Sequence, residues 1–248
     1  MSKEQEFNEE YEEDFVEDKK EEGTLSDIKK YGTILVVALI VVVAGLYAYN
    51  YFTEQSAKEN AEATKHLARI TPLLNQGDYE RALNGDANIV IDNEKLLGFK
   101  DIANKYSGTE AGLVASFYAG KALLMQGKFS EAKNYFNTAL ANENSEIKVG
   151  AYSGLGACLE QENNYKEASV NYESAANLVE QIEIKSRLLY FVGLTAENAK
   201  DKERAKSFYE KVVKMNAENV YSEFAGLSSS GLLRLGTKID WVKRGVKK

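Results

Sequence analysis

The chain has 248 residues, 44% of them hydrophobic, with one proline (Pro72) and one cysteine (Cys158). That leaves room for one or two domains with a core, favours helix over loop-rich architecture, and excludes an intrachain disulfide framework. The formal charge of −7 belongs wholly to residues 1–30, where 12 acids face 5 lysines; residues 31–248 balance 26 acids with 26 bases, so the chain offers no basic domain suited to nucleic acid.

Residues 1–30 read as an acidic, disordered cytoplasmic tail, because so few apolar groups bury too little surface to order themselves. Phe7, Tyr11 and Phe15 recur every four residues among the acids. On a helix they form one aromatic stripe, and the sharper reading is a short motif that folds against a basic, grooved cytosolic partner. Ser26 before Asp27 is placed to cap a helix entering the next segment.

From Tyr31 to Thr53 run 23 residues without a charge. As a helix rising about 1.5 Å per residue, about 20 of them cross a hydrocarbon core of about 30 Å. Tyr31 at one edge and Tyr47, Tyr49, Tyr51 and Phe52 at the other lie where amphipathic rings prefer the interface. A buried core helix and a cleavable signal peptide are the rival readings. The run is long for either, and no small-x-small cleavage pattern follows. The expectation is an uncleaved transmembrane helix over 31–53. Lys19, Lys20, Lys29 and Lys30 precede it, against Lys58 and Lys65 just after it, which favours a cytoplasmic N-terminus.

Residues 54–110 read as membrane-proximal helices with a degenerate repeat. A helix from Glu54 to Asn75 is expected to kink at Pro72. Gly77-Asp78-Tyr79-Glu80-Arg81-Ala82 reads as a turn and the start of a second helix, and Leu96–Tyr106 as another helix.

Residues 111–236 hold the strongest signal. Gly120, Gly156 and Gly193 stand 36 and 37 residues apart, and Ala132, Ala168 and Ala205 keep that spacing, as do Phe136, Tyr172 and Tyr209. A period of that size means stacked helical hairpins, each burying its apolar face on the next. The three units read as Ser116–Gln126 with Ser130–Ala141, Tyr152–Gln161 with Lys166–Val179, and Leu188–Asn198 with Glu203–Val213. Glu223–Leu235 reads as an atypical closing helix, and residues 237–248, with Trp241 among lysines and Arg244, as a basic tail.

These columns resemble the tetratricopeptide repeat. Gly120, Ala132, Phe136 and Ala139 match its small, alanine, aromatic and small positions, as do Gly156, Ala168, Tyr172 and Ala175; in the third unit Gly193, Ala205 and Tyr209 match while Val212 replaces the last small residue. The inter-repeat proline is missing and the spacing exceeds the usual 34, departures from the family pattern that imply longer, looser joins, such as Asn142–Glu146. The resemblance implies an all-α fold: a single N-terminal transmembrane helix followed by a tetratricopeptide-like right-handed α-α superhelix. It also implies a partner-binding inner wall, carried over as Val114, Phe117, Lys121 and Leu124; Gly150, Ser153, Ala157 and Glu160; Arg187, Tyr190, Leu194 and Glu197. Such a mixed wall suits an amphipathic helix or a non-native segment, and packing between repeats is the competing role for some of these side chains.

No residue set points to catalysis, a cofactor or a metal. His66 is the only histidine and has no cysteine or second histidine to share an ion. Cys158 falls inside a helix and reads as a buried, inert thiol. The glycines fall on repeat columns, not in a phosphate-cradling loop. The chain is therefore read as a non-enzyme.

The order of tail, anchor and repeats, with Leu97-Gly98-Phe99 through Tyr106-Ser107-Gly108-Thr109 leading into the repeats, resembles the YfgM-type ancillary subunit of the Sec translocon in Gram-negative inner membranes. That implies a single-pass inner-membrane protein with a periplasmic, chaperone-like scaffold. Its partners would be translocon subunits, exported clients or periplasmic folding factors. An organellar import receptor with cytosolic repeats, or a structural subunit of a membrane complex, are the alternatives.

Overall fold

A computed structural model describes residues 3–219 and 222–237, with side chains from Tyr31 onward. The aromatic tail motif, the Ser26 cap and the basic segment around Trp241 fall outside the described side chains. The chain divides into two units, residues 1–55 and 56–248. Helix α1 (Lys3–Asn75) supplies the first unit and opens the second.

In the first unit every large apolar side chain from Tyr31 to Phe52 is more than half exposed. The helix is long and apolar enough to cross a membrane, and none of that window is buried inside the protein. A helix is the form this sequence needs in lipid, because it satisfies its own backbone groups.

The second unit begins where α1 turns amphipathic. Ala63, Leu67, Ile70 and Leu74 are buried at spacings of four, three and four, one helical stripe. Pro72 lies in the last turn of α1. After the turn at Gly77 comes α2 (Tyr79–Asn84), capped by the Asp78 side chain. The fourth hairpin expected from the sequence is therefore present, with a short second arm.

An antiparallel hairpin then interrupts the helices: β1 (Gly85–Ile91) and β2 (Glu94–Leu97), joined by Asp92 and Asn93. Both turn residues have positive φ, 53° and 65°, the conformation a two-residue type I′ turn requires. Ile91 pairs with Glu94 and Val90 with Lys95, and a bulge between Asp86 and Val90 resets the register toward Gly85 and Leu97. The helix expected over Leu96–Tyr106 is shorter, α3 (Phe99–Lys105), because Leu96 and Leu97 are spent on the strand.

Three full hairpins follow: α4 (Glu110–Met125) with α5 (Phe129–Ala139), α6 (Ser145–Gln161) with α7 (Tyr165–Asn177), and α8 (Ile182–Asn198) with α9 (Lys202–Met215); α10 (Glu223–Arg234) closes the series. Each helix packs on the next in order, and α4 also touches α6 as α8 touches α10. The first helix of each hairpin starts six or seven residues earlier than the sequence suggested. The Thr109 side chain accepts from the Gly112 N–H at 3.0 Å, and Asn144 accepts from the Glu146 N–H at 2.8 Å, so caps set those starts. The extra turn accommodates a period above 34.

The join at 142–146 is not loose. Asn142 is 1% exposed, donates to the Glu110 carbonyl at 3.2 Å and accepts from the Asn144 N–H at 2.8 Å. One asparagine thus ties the end of a hairpin back to its start. Asn216 does the same at the end of α9, donating to Ser186 Oγ at 2.8 Å.

All four hairpin turns share one geometry. Gly77, Gly127, Asn163 and Lys200 have φ between 61° and 81°, and the next residue's N–H bonds back to Leu73, Leu123, Leu159 and Ala196. This is the Schellman closure of a helix end. Gly236, with Thr237 bonding back to Leu232, ends α10 the same way. The closing helix is thus built like a first arm.

Candidate protein-binding wall and the seam behind it

The aromatic column sits on the small-residue column. A Cβ on Gly120 would come within 2.8 Å of the Phe136 ring, one on Gly156 within 2.9 Å of Tyr172, and one on Gly193 within 2.7 Å of Tyr209. Each ring also meets the next hairpin: Phe136 lies on Gly154, Tyr209 on Gly231, and Tyr172 stacks on Phe191 at 5.3 Å. A ring from each second arm is therefore clamped between two first arms. Because packed interiors leave no room for an added methyl, the two columns recur together.

The residue at the end of each first arm answers to that ring. Tyr172 Oη donates to Glu160 at 3.1 Å and Tyr209 Oη to Glu197 at 2.7 Å. In the first hairpin the matching pair is Leu124 and Phe136, with neither hydroxyl nor acid. Burial first, and the neighbouring carboxylate second, push both phenols well above their ordinary range. Arg234, arriving from α10, binds Glu197 through two nitrogens at 3.0 and 2.9 Å and holds that carboxyl below its usual range.

The wall residues carried over from the repeat family divide accordingly. Phe117 is half-buried against Tyr118 and Phe136, and its ring fills the space over Gly150 of the next hairpin. Tyr190 contacts Phe191, Tyr209 and Phe224 at 5.6 to 6.0 Å. Glu160 and Glu197 are engaged by tyrosines, and Ser153 bonds back to the Val149 carbonyl at 2.7 Å. Lys121 and Arg187 are exposed, while Leu124 and Leu194 are half-buried. The accessible part is thus two cations interspersed with leucines.

The seam is fastened elsewhere by ion pairs: Lys100 of α3 with Glu131 of α5 at 3.2 Å, Lys133 of α5 with Glu162 at the end of α6, and Arg204 of α9 with Glu173 of α7. Such part-exposed pairs fix register more than they add stability.

Cys158 is fully buried, and burial pushes its thiol up to about 11, so it is inert at neutral pH. His66, by contrast, has company that the sequence did not reveal. It is 3% exposed and stacks on Tyr106 at 6.0 Å. Glu62, His66 and Glu94 each place a ligand atom within 4.8 Å of the other two. The missed partner is Glu94, brought in by β2. Its signal was the β-branched run Ile89-Val90-Ile91 before Asp92-Asn93, a hairpin pattern.

Stacked hairpins of this period, seamed by rings on small residues, define a helical-repeat scaffold for protein–protein interaction. Residues 28–177 match the tetratricopeptide repeat-like domain, and residues 186–219 match the tetratricopeptide repeat. The first match covers well over half of the chain, and the chain belongs to the tetratricopeptide repeat-like domain family. Comparison with curated proteins finds no match.

Proposed function

We propose that the protein is a single-span inner-membrane scaffold whose repeats, on the periplasmic side, bind exported or assembling proteins in a chaperone-like role beside the Sec translocon. The observation that carries this reading is the joining of anchor and repeats. The family match begins at residue 28, before the exposed apolar run, and continues into the second hairpin. The excess of lysines before the span supports a cytoplasmic N-terminus. The wall takes amphipathic or non-native segments through Leu124 and Leu194, with Lys121 and Arg187 beside them for acidic groups. Tethering raises the local concentration of the wall at the membrane, so modest affinity suffices.

Purification from native membranes in mild detergent, with mass spectrometry of what accompanies the chain, tests this reading. Enrichment of translocon subunits or periplasmic folding factors supports it. A clean preparation of this chain alone, or repeats cleaved by protease only when the cytoplasmic face is open, counts against it.

A further inference from the structure

The hairpin-bearing part of the second unit holds one cluster that the scaffold reading leaves unused. Glu62 and His66 are four residues apart on α1, so they share a face one turn apart. Glu94 reaches them from β2, and the three ligand atoms lie within 4.8 Å of one another. That spacing lets small side-chain movements close all three on one ion. Beside them Tyr106 is 2% exposed and stacks on His66. Glu62 and Lys105 are the charged groups that act on its hydroxyl.

We propose that Glu62, His66 and Glu94 form a three-ligand site for a divalent transition-metal ion such as Zn2+. One imidazole and two carboxylates suit Zn2+ and leave a fourth position open. Mg2+ and Ca2+, which want oxygen ligands only, are poorly served.

The cations around the cluster set the terms of binding. Arg69 bonds Glu94 at 2.8 Å and also Asp92; Lys65 lies 3.6 Å from both Asp92 and Glu94; Lys105 lies 3.5 Å from Glu62. When Glu94 turns to a metal, Arg69 and Lys65 keep Asp92, and the half-exposed Lys105 turns to water. The ion joins the β-hairpin to α1, so binding also stabilises that junction by mass action.

The experiment is titration of the tag-free full chain in detergent with Co2+ and Zn2+. One equivalent of Co2+ is expected to bind saturably with the visible spectrum of a tetrahedral, nitrogen-containing site. Zn2+ should displace it and Mg2+ should not. His66→Gln and Glu62→Gln should each weaken binding at least about ten-fold, with circular dichroism unchanged. If His66→Gln fails to fold, Glu62→Gln, at a half-buried position, carries the test. No saturable one-equivalent uptake, or uptake unaltered in the folded variants, overturns the site.

Discussion

The Tyr209 hydroxyl donates to the Glu197 carboxylate at 2.7 Å, and Arg234 closes on the same carboxylate from the last helix. The pair recurs one hairpin earlier as Tyr172 and Glu160, and is replaced by Phe136 and Leu124 one hairpin before that. The acid at the end of a first arm is therefore present where the ring behind it carries a hydroxyl. Two of the twelve positions carried over as a binding wall are in this way occupied by the seam.

That coupling predicts a swap. Tyr172→Phe or Glu160→Leu alone should each cost about 1–2 kcal/mol by stranding a partner. The double change reproduces the first hairpin's pair and should cost less than the sum, with a coupling of about 1 kcal/mol in a double-mutant cycle of thermal or denaturant unfolding. Additive losses would show that the two side chains act independently.

Acid should loosen the C-terminal end of the stack first. Arg234 depresses the Glu197 pKa in the folded state, so this stabilisation is full above the unfolded carboxyl's value of about 4.3 and is lost as pH falls through the lower folded value. Arg234→Gln should flatten that part of the melting-temperature profile below about pH 5. The raised phenols of Tyr172 and Tyr209 work in the other direction, giving stability that is present below about pH 10 and lost above it.

Gly154→Ala tests the ring seat. Its methyl would arrive 2.3 Å from the Phe136 ring, so the ring or α6 must move. A loss of about 1–3 kcal/mol is expected from overpacking. Adding Phe136→Leu should recover part of it; a neutral Gly154→Ala in denaturant melts would mean the seam is slack.

Lys200→Gly should stabilise the protein. Lys200 sits at φ 64° in the turn where two of the sister hairpins use glycine. Relief of the left-handed strain outweighs the entropy of glycine by about 0.5–1 kcal/mol. Asn163→Gly, at φ 61°, should change the melting temperature much less, since asparagine tolerates that region.

The wall and the core respond differently to charge. Phe117→Asp with Tyr190→Asp should lower helicity and stability, because both rings pack between hairpins. Lys121→Glu with Arg187→Glu should leave circular dichroism unchanged while reducing recovery of copurifying proteins several-fold. Equal recovery from the folded variant would remove these two cations from the wall.

The sequence alone determined the repeat and the class. Gly120, Gly156 and Gly193 with their aromatic partners recur because close helix approach excludes larger side chains, so periodicity reports packing directly. The uncharged run 31–53 likewise states its own length and polarity, and Gly77 and Gly127 mark turns because few residues accept positive φ. What tertiary structure decided was everything depending on residues distant in the chain. The Asp92-Asn93 hairpin is the local exception: its β-branched run stood in the sequence, and its pairing took Leu96 and Leu97 from an expected helix. Asn142 turned an apparent loose join into a buried tie. Phe117 and Tyr190 were drawn into the seam by neighbours in the next hairpin, and Glu94 was set beside His66 by a strand. No one-dimensional spacing records which side chains a fold brings across from another element.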